Sequence, residues 1–326
     1  MSILVWMGAD GEETDALGAI AKPFDWSAPP VGWADDMVVY GPWLDAACPQ
    51  GLSGECVAAD LGNGGDMPRM LVFGSVSSTL DVCRELAASG ALREWDAVIA
   101  ASQWSGRGQL RRGWHSPEGN MYVGWRIPSS KGPGDELASI AVGVALAEAF
   151  ARLGVEIELK WPNDLVLMKC PEDEGGWGLK IGGVLLEERG GVLVAGIGVN
   201  LHQAPPEETL RDGYAVPAGC LVTSTPAGQR RAGPLAIWLS VAGTAQRIYE
   251  ELAASSAAEL VERAEARLAW KDRPVLVRQE SVPAEQENFD KRTGRIVGLT
   301  VHGAIRIAFD DGEKTFSSAQ LTPLAS

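Results

Sequence analysis

The pattern of hydrophobic and polar positions changes along the chain and divides it into three regions. Between about residue 69 and residue 270, short apolar runs typical of buried strands alternate with longer segments whose apolar residues recur every three and four positions. This mixture of periods predicts a mixed α/β domain. The most regular helix is predicted over 137–153, with Asp135 as its cap and Gly154 after its end. Another helix is predicted to run from an N-cap in 77–79 to about residue 89.

Shorter patterns predict the remaining elements of this domain. Met121, Val123, Trp125 and Ile127 alternate on one face of a predicted strand. The acidic insert 171–178 is predicted to be a hairpin loop between two strands. With these, the predicted strands cover 70–76, 95–101, 120–127, 155–160, 163–168, 179–187 and 191–199, and two further helices cover 234–253 and 256–269.

The last region, 271–326, returns to a strand pattern and predicts a small β-barrel. Several short strands in succession, with a hairpin turn at 310–312, are typical of such barrels. The predicted strands cover 275–278, 292–299, 304–309 and 314–317.

The first region, 1–68, differs from both. It contains Trp6, Trp26, Trp33 and Trp43 among prolines and acidic residues. Tryptophan at this density predicts a small packed core or an extension docked on the rest of the chain, because an exposed indole leaves a large apolar surface in water. No pair of amphipathic helical patterns joined by a short turn occurs, so a helix-turn-helix is not predicted. The run 62–66 indicates a linker or turn.

Composition and charge exclude several classes of function. The chain has 326 residues, 46% of them hydrophobic, and a net charge of −15. Its length predicts roughly two or three domains, and its acidity argues against a nucleic-acid-binding face. No apolar run is long enough to span a membrane, and the N-terminus lacks the basic residues of a signal peptide. We therefore expect neither a nucleic acid nor a membrane as a partner.

Cysteine and histidine positions give no sign of a metal site. The three histidines His115, His202 and His302 are isolated, and we expect them on the surface or in loops. The cysteines are odd in number and scattered, without a C-x-x-C pair, which suggests neither a disulfide framework nor a zinc site. A reducing cytoplasm is the predicted compartment. The five cysteines are Cys48, Cys56, Cys83, Cys170 and Cys220.

The segment 102–117 is the most unusual part of this acidic chain, because it holds Arg107, Arg111 and Arg112 among glycines and contains no acidic residue. Arginine offers a planar fork of donors, and glycine lets the backbone approach closely enough to donate its own N–H groups. The combination is typical of a loop that binds an anion of phosphate geometry. Three solvated surface arginines are the alternative interpretation.

Further motifs follow this loop in order. Lys-Trp-Pro-Asn-Asp occupies 160–164, a Gly-Leu-Lys-Ile-Gly-Gly strand that ends in Glu occupies 178–187, and Gly-Ile-Gly-Val-Asn occupies 196–200. Together with the loop's Gly-Arg-Gly and Trp-x-Ser-Pro, these blocks resemble the biotin protein ligases in order and spacing. The resemblance covers about 71–268, and the C-terminal region resembles the SH3-like domain of the same family. It does not reach the N-terminal region, where many members carry a winged helix-turn-helix.

The resemblance implies a fold and an activity. The implied fold is a mixed-sheet α/β catalytic domain of the class II aminoacyl-tRNA synthetase and biotin ligase type over 69–270, with an extension at 1–68 and an SH3-like barrel at 271–326. In the implied reaction, the biotin carboxylate attacks the α-phosphate of ATP and pyrophosphate leaves. A lysine of a biotin carboxyl carrier protein then attacks the biotinyl-5′-adenylate. ATP and Mg²⁺ are the implied cofactors.

The same resemblance implies roles for individual residues. Lys180 would reach the activated carboxyl and the α-phosphate, where a cation neutralises developing charge. Asp164 would accept or relay the proton of the acceptor lysine, and Arg107 and Arg112 would bind the phosphates. The biotin-binding candidates are Ser78, Thr79, Gln103, Gly106, Arg107, Lys180, Gly183 and Gly198. The ATP- and adenylate-binding candidates are Arg107, Gln109, Arg111, Arg112, Trp114, Asn163, Lys180 and Asn200.

Some of these residues also have purely structural interpretations. Lys180 could be a strand-edge lysine, the turn 161–164 could be only a stable turn, and Ser78 with Thr79 could be only a helix cap. Two positions depart from the family: Leu80 stands where Asn is typical, and Gln109 stands where Arg is frequent. Gln109 could hold the adenylate by neutral hydrogen bonds, or Arg111 could replace the missing charge.

Other functions stay open on the sequence alone. A ligase or transferase for lipoate or octanoate uses a related fold and a similar lysine, although the block 160–164 favours biotin. A non-catalytic regulator that binds biotin or its adenylate is a second alternative, suggested by Leu80 and Gln109. A DNA-binding repressor is disfavoured by the acidic N-terminal region. The role of that region, the acceptor's identity and the oligomeric state are not determined by the sequence.

Overall fold

The computed structural model describes eight stretches of the chain, and it divides the chain into two compact units. Unit 1 comprises Met1–Lys131, Gly183–Gln203 and Leu221–Gly243, and unit 2 comprises Gly132–Gly182, Ala204–Cys220 and Thr244–Ser326. The described residues are 2–8, 16–62, 67–129, 135–168, 177–206, 216–221, 232–278 and 292–324. The predicted turn at 62–66 and hairpin loop at 171–178 lie largely outside them.

The described elements of unit 1 are β1 (Ser2–Gly8), α1 (Ala34–Val39), β2 (Leu44–Ala46), β3 (Glu55–Asp60), β4 (Arg69–Val76), α2 (Thr79–Ala88), β5 (Ala97–Gln103), β6 (Met121–Ile127), β9 (Leu179–Arg189), β10 (Val192–Val199) and the first part of α4 (Pro234–Ala254). The strands lie in a mixed sheet with order β2-β3-β1-β4-β5-β6-β10-β9. The pairs β1–β4 and β4–β5 are parallel, whereas β5–β6 and β6–β10 are antiparallel. Helix α2 packs on β5, β6 and β10 and buries its apolar face there.

Strands from the N-terminal region belong to this same sheet. Leu4 of β1 is in register with Leu71 of β4 on one side and with Ala58 of β3 on the other. The tryptophan-rich segment forms a cluster in which Trp26 packs edge-on against Phe24 and Trp43. The boundary expected near residue 68 therefore falls between strands that lie in one sheet.

Asp36 links the N-terminal region to the first turn of α4. Its side chain is 2% exposed, and its carboxylate accepts hydrogen bonds from the backbone N–H groups of Gly233 (3.2 Å), Leu235 (2.9 Å) and Ala236 (3.2 Å). Burial raises the pKa of Asp36 to about 6, although the three hydrogen bonds act in the opposite direction. Asp36 thus caps a helix about two hundred residues away in sequence.

Cys48 and Cys56 form a disulfide with a Cα–Cα distance of 5.4 Å. The sequence did not suggest this bond, because neither the number nor the spacing of the cysteines indicates a pair. The pairing of β2 with β3 brings them together, since Ala46 is in register with Cys56. Cys83 is a free thiol buried between α2 and β6, where its Sγ donates to the carbonyl of Gly124 at 3.3 Å.

The described elements of unit 2 are α3 (Asp135–Ala151), β7 (Ile157–Lys160), β8 (Asp164–Leu167), the first residues of β9, the second part of α4, α5 (Ala257–Glu265), β11 (Pro274–Arg278), β12 (Arg292–Leu299), β13 (Ile305–Phe309), β14 (Gly312–Phe316) and β15 (Gln320–Pro323). The strands β9, β8 and β7 are neighbours in that order, and α3 packs over β7 and β8. The strands β11 to β15 form an antiparallel sheet with order β14-β13-β12-β11-β15.

Most predicted elements of the central and C-terminal regions are found within two or three residues of their expected ends, with three differences. Helix α3 begins at Asp135, which is therefore a helical residue and not a cap. Helix α5 ends at Glu265 and not near residue 269, because Leu159 pairs with 267–269 and draws that segment into a bridge. In the described part of unit 2, β14 and β15 each pair with one neighbour, so the C-terminal sheet is open.

The described helices include none that is long and apolar enough to cross a membrane.

Candidate active site

Gln103, at the end of β5, organises the first group of predicted site residues in unit 1. Its Oε1 accepts hydrogen bonds from the backbone N–H of Thr79 (2.9 Å) and from Thr79 Oγ1 (3.3 Å). Its Nε2 donates to Ser116 Oγ at 2.9 Å. Gly106 packs against this network so closely that a Cβ would lie 2.5 Å from Ser116 Oγ. The amide of Gln103 thus ties the start of α2 to the Trp-x-Ser-Pro end of the loop.

Ser78 and Leu80 have structural positions in this group. Ser78 is the N-cap of α2, and its Oγ accepts from the backbone N–H of Leu80 at 3.4 Å, as predicted for a cap. Leu80 is buried in the core between α2 and β10, where its side chain lies against Gly196. At the position where the resemblance implies Asn, this chain thus has a residue that packs in the core.

The arginine loop itself is a short hairpin. Arg107 and Gly113 form an isolated antiparallel bridge, and the backbone N–H of Gly108 donates to the carbonyl of Arg112 at 2.8 Å. A 3₁₀ turn at Gln109–Arg111 forms its tip, with Leu110 at a positive φ of 56°. Gln109 and Arg112 are exposed at this tip, and the side chain of Arg111 lies outside the described part of the structure.

Arg107 points away from the tip and lies between two carboxylates of unit 1. Its Nη1 donates to Asp81 Oδ1 at 2.9 Å. Its other edge faces Glu187 at the end of β9, with Nη2 3.3 Å from Oε2 and Nε 3.3 Å from Oε1. Asp81 also accepts from Ser77 Oγ (2.9 Å) and pairs with Arg84. The guanidinium is therefore oriented by side chains from α2 and β9.

The remaining predicted site residues of unit 1 lie in the arginine loop, in β9 and in or directly after β10. The Trp114 indole covers Gly198 of β10, where a Cβ would lie 2.7 Å from Nε1. Asn200 is buried directly after β10, and its carbonyl accepts from the backbone N–H of Leu221 at 2.8 Å. Gly183 lies half-buried in β9. Gly198 is thus required to be small because an indole occupies the space above it.

Asn120 fixes the loop that follows Asn200. It is fully buried, and its Oδ1 accepts from three consecutive backbone N–H groups, those of Leu201 (2.9 Å), His202 (3.0 Å) and Gln203 (3.1 Å). Its Nδ2 donates to the carbonyl of Gln203 at 2.7 Å. Nothing in the sequence pattern distinguishes this asparagine, because its partners are about eighty residues away.

In unit 2, the lysine motifs meet at Asp164. Lys160 Nζ donates to Asp164 Oδ2 at 2.9 Å, and Lys180 Nζ lies 2.7 Å from Asp164 Oδ1. Lys160 ends β7, Asp164 begins β8 and Lys180 is the second residue of β9. One carboxylate therefore holds two ammonium groups from the two motifs 160–164 and 178–187.

Backbone contacts fix the strands that carry this triad. The N–H of Lys180 donates to the carbonyl of Pro217 at 2.8 Å, and its carbonyl accepts from Gly219 at 3.0 Å. The turn between β7 and β8 contains Asn163 and a cis Trp161–Pro162 bond, and the Trp161 indole donates to the carbonyl of Gly303 at 2.8 Å. The side chain of Lys180 thus projects from a residue whose backbone N–H and carbonyl are both hydrogen-bonded.

The two lysines set the charge of Asp164. Burial alone would raise its pKa, but the attraction of Lys160 and Lys180 and the hydrogen bonds they donate outweigh burial and hold the pKa of Asp164 well below its usual range. The carboxylate is therefore ionised throughout the neutral range, and the triad carries a net positive charge that an anion can use.

Four residues of these clusters were not assigned a role from the sequence: Asp81, Asn120, Lys160 and Glu187. Lys160 and Glu187 belong to the motifs 160–164 and 178–187, so their membership in these motifs could have marked them as candidates. Asp81 lies in the first turn of α2, where an acidic residue is favourable in any helix. Across the described residues, no three His, Cys, Asp or Glu side chains converge on a point that could hold a metal ion.

The central segment is similar to known proteins. Residues 72–203 match the model of the Biotin/lipoate A/B protein ligase family. Over 151 residues the chain is 34% identical to the bifunctional ligase/repressor BirA of Bacillus subtilis, covering 43% of this chain and 42% of that protein. Over 154 residues it is 32% identical to the biotin–[acetyl-CoA-carboxylase] ligase of Mycobacterium tuberculosis, covering 45% of this chain and 54% of that protein.

The chain therefore aligns over about half or less of the length of these relatives. Among solved structures, the fold is similar to that of the biotin protein ligase from Aquifex aeolicus in complex with biotin and ATP, with a TM-score of 0.62 and 24% identity, covering 79% of this chain and 99% of that one. At that identity the likeness establishes the mixed α/β fold.

Proposed function

We propose that this chain, whose residues 72–203 form a domain of the Biotin/lipoate A/B protein ligase family, joins biotin to a lysine of a biotin carboxyl carrier protein. The reaction uses ATP and passes through biotinyl-5′-adenylate. Relatives named as biotin ligases and a similar structure that holds biotin and ATP support this assignment. The protein would act in the cytoplasm, where ATP and an acceptor are available.

One observation carries the proposal: Lys180 and Lys160 share the carboxylate of Asp164, with Nζ–O distances of 2.7 Å and 2.9 Å. Two sequence blocks that are separate along the chain thus form a single cationic cluster. A strand-edge lysine that serves only to prevent aggregation would need no such partner. A cation held in this way is suited to a phosphorus centre that gains charge, because it requires little reorganisation as the reaction proceeds.

We assign the adenylation step to the arginines and to Lys180. Lys180 neutralises charge on the activated carboxyl and the α-phosphate as the bond between them forms. Arg107 and Arg112 bind oxyanions of the substrates and of the leaving pyrophosphate. Arg107 is oriented by Asp81 at 2.9 Å, whereas Arg112 lies on the exposed loop tip. The two arginines therefore differ in how firmly they are held before substrate binds.

Asp164 acts in the transfer step. The acceptor lysine has to lose a proton before it attacks the adenylate, since its ordinary pKa is about 10.4. A carboxylate can accept or relay that proton. The pKa of Asp164 is held low by Lys160 and Lys180, so it is a weak base in the free protein. We therefore assign it a second role, which is to hold Lys180 in place.

The remaining candidates are assigned to the two substrates. Thr79, Gln103 and Ser78 face the ureido ring of biotin, and Gly183 lets its chain approach the backbone. Gly106 and Gly198 contribute indirectly, because their lack of a side chain lets Ser116 and Trp114 pack closely beside the biotin site. The hydrogen bonds of Gln103 to Thr79 at 2.9 Å and to Ser116 at 2.9 Å support a preformed polar group there. For ATP and the adenylate we propose Gln109, Arg111, Trp114, Asn163 and Asn200.

Magnesium enters as the complex with ATP. Phosphate oxygens and water are the ligands that Mg²⁺ usually keeps in such a complex. When bound, Mg²⁺ would neutralise phosphate charge. We also propose that the open sheet β11–β15 corresponds to the family's SH3-like domain, and that 69–270 is the catalytic region.

The test is to incubate the protein with biotin, ATP and Mg²⁺ and to measure biotinyl-5′-adenylate and pyrophosphate by mass spectrometry. Lipoate and octanoate are offered in parallel. Lys180→Ala is the test variant, and Lys314→Ala, which removes an exposed lysine of β14, is the matched control. Adenylate from biotin only, lost in the Lys180 variant and kept in the control, supports the proposal.

Two results would replace it. Adenylate from lipoate or octanoate in place of biotin would favour the acyl-ligase alternative, which the joint family of biotin and lipoate ligases makes the nearest competitor. Biotin binding without adenylate from any acid would favour a non-catalytic regulator, in agreement with Gln109 at the position where the family frequently has Arg.

A further inference from the structure

Arg107 uses its two edges unequally, and the two carboxylates beside it differ in how firmly they are held. On one edge, Nη1 donates to Asp81 Oδ1 at 2.9 Å. On the other, Nη2 and Nε lie 3.3 Å from the two oxygens of Glu187. A charge-assisted N–H···O bond is usually about 2.7–2.9 Å long. The pair with Glu187 is therefore the looser of the two.

The Nε–Nη2 edge has unused capacity. Arg107 Nε is buried and, among the described residues, donates no hydrogen bond, even though a Glu187 oxygen lies 3.3 Å away. This edge is one of the planar forks that a carboxylate or a phosphate engages with two parallel bonds. An oxyanion that entered with two oxygens would satisfy Nε better than Glu187 does.

Asp81 and Glu187 are also embedded differently. The Asp81 side chain is 15% exposed and is held by Ser77 and Arg84 in addition to Arg107. The Glu187 side chain is 36% exposed and lies at the end of β9, next to the exposed Glu188. Moving Glu187 into water costs little, because it is already half-solvated. Moving Asp81 would break three contacts.

We infer that Asp81 is a positioning residue that orients Arg107, and that Glu187 occupies the place of the substrate oxyanion and leaves when that oxyanion binds. The inference rests on the proposed function, since it assumes that Arg107 receives an anionic group of biotin or ATP. In the absence of substrate, Glu187 keeps the guanidinium neutralised. Binding then exchanges one carboxylate for another anion and adds no uncompensated charge.

If Glu187 and the ligand exchange in this way, mutations should change how strongly the protein prefers an anionic ligand over a neutral one. With Glu187→Gln, an anionic ligand no longer competes with a carboxylate, so binding of biotin should tighten relative to its neutral alcohol analogue biotinol. Removing a partly exposed ion pair of this kind should raise the ratio of biotin affinity to biotinol affinity about three- to fivefold. With Asp81→Asn, the guanidinium is no longer held toward the ligand, and the ratio should fall by a similar factor.

The experiment measures the dissociation constants of biotin, biotinol and pyrophosphate for the full-length protein by calorimetry, with Glu188→Gln as the matched control. Glu188 carries the same charge on the same strand, but its side chain projects from the other face. The inference is supported when Glu187→Gln raises the biotin-to-biotinol preference, Asp81→Asn lowers it and Glu188→Gln leaves it unchanged. A change in pyrophosphate affinity alone would identify phosphate as the exchanging oxyanion.

Other results would overturn the inference. If all three variants raise the preference alike, only the net charge matters, and if none changes it or pyrophosphate binding, Glu187 does not compete. A merely structural role of Asp81 and Glu187 would weaken biotin and biotinol together. Failure of the wild-type protein to bind biotin would instead refute the proposed function, and the pyrophosphate comparison would still test exchange at Arg107.

Discussion

Asp36 of unit 1 is buried and the Asp164 side chain of unit 2 is 13% exposed, yet the pKa values of these two shielded aspartates move in opposite directions. Asp164 faces two ammonium groups, and its pKa is held below the usual range. Asp36 faces three backbone N–H groups, and its pKa rises to about 6 because it is buried. Backbone dipoles compensate burial only in part, whereas two full charges overcompensate it.

The two clusters differ in what they provide: the one at Asp164 concentrates positive charge, and the one at Asp36 stabilises the start of a helix. The cluster at Asp164 has a net positive charge, because one carboxylate pairs with both Lys160 and Lys180. At Asp36 the carboxylate ends a helix, and a neutral acceptor would satisfy part of the same geometry. Variants at the first site should therefore change the reaction, and variants at the second should change stability.

The largest effect is expected from Lys180→Ala. Under the proposed mechanism this change removes the cation at the reacting phosphorus, and adenylate formation should slow about 10³-fold, by analogy with the loss of one oxyanion donor. Pyrophosphate release measured under saturating biotin and ATP gives this rate, and thermal unfolding checks that the fold is kept. A reduction in affinity for biotin with an unchanged maximal rate would contradict a role in the chemical step.

Asp164→Asn should slow transfer from preformed biotinyl-5′-adenylate to the acceptor about 10²-fold. Single-turnover transfer at pH 7 and pH 9 measures this, and the higher pH should restore part of the rate because the acceptor lysine then loses its proton unaided.

The direction of the Asp164 pKa adds a second check on the same residue. Since the folded pKa lies below the unfolded one, the carboxylate stabilises the fold above the unfolded pKa, and this contribution is lost only as the pH falls through the folded value. The wild-type rate should accordingly show no inflection from Asp164 between about pH 5 and pH 9. An inflection there that disappears in Asp164→Asn would contradict the low pKa.

Asp36→Asn tests the opposite case through stability. A folded pKa of about 6 lies above the ordinary aspartate value of 3.8, so the folded state binds the proton more readily and the free energy of unfolding falls as the pH rises through this window. The contribution is about 2–3 kcal/mol between pH 4 and pH 7. Urea unfolding at several pH values should show this slope in the wild-type protein and not in the variant.

The exposed neighbour Asp35 provides the control for that measurement. Asp35→Asn removes the same charge from helix α1 without removing the cap of α4. Its unfolding curves should keep most of the wild-type pH dependence, because the charge of Asp35 contributes less to the raised pKa of Asp36 than burial does. Parallel curves for wild type and Asp36→Asn would show that the cap does not titrate in this range.

The smallest effect is expected from replacing both cysteines of the edge disulfide by serine. Closing a loop with a sequence separation of 8 restricts the unfolded chain modestly, so the free energy of unfolding should fall by about 2 kcal/mol. Chemical denaturation with and without a reducing agent measures it. Adenylate formation should stay unchanged, and a loss of activity would place the N-terminal region in the reaction.

The secondary structure of the central region was largely predictable because its signals are local. The apolar period of α3, the strand runs and the Ser78 cap each depend on residues within a few positions of one another. The motifs around Arg107, Asp164 and Lys180 were likewise visible as residue types in order. The motifs did not predict that Lys160 and Lys180 share one carboxylate, because that contact depends on which strands are neighbours in the sheet.

The N-terminal region was not predictable in the same way. Its strands are short, β2 has three residues, and their partners are fixed by the register of β4 and not by local alternation. The contacts of Asp36 span about two hundred residues, and those of Asn120 span about eighty. Side chains that satisfy distant backbone groups leave no period in the sequence.

Asn120 has a consequence for the kinetics of local opening. The three amides at 201–203 belong to a loop, where hydrogen exchange with solvent is ordinarily fast, yet all three donate to one buried side-chain oxygen. Their exchange should therefore require that oxygen to be withdrawn, which links them to the opening of β6. Slow, correlated deuterium uptake at these loop positions would report on the core of unit 1.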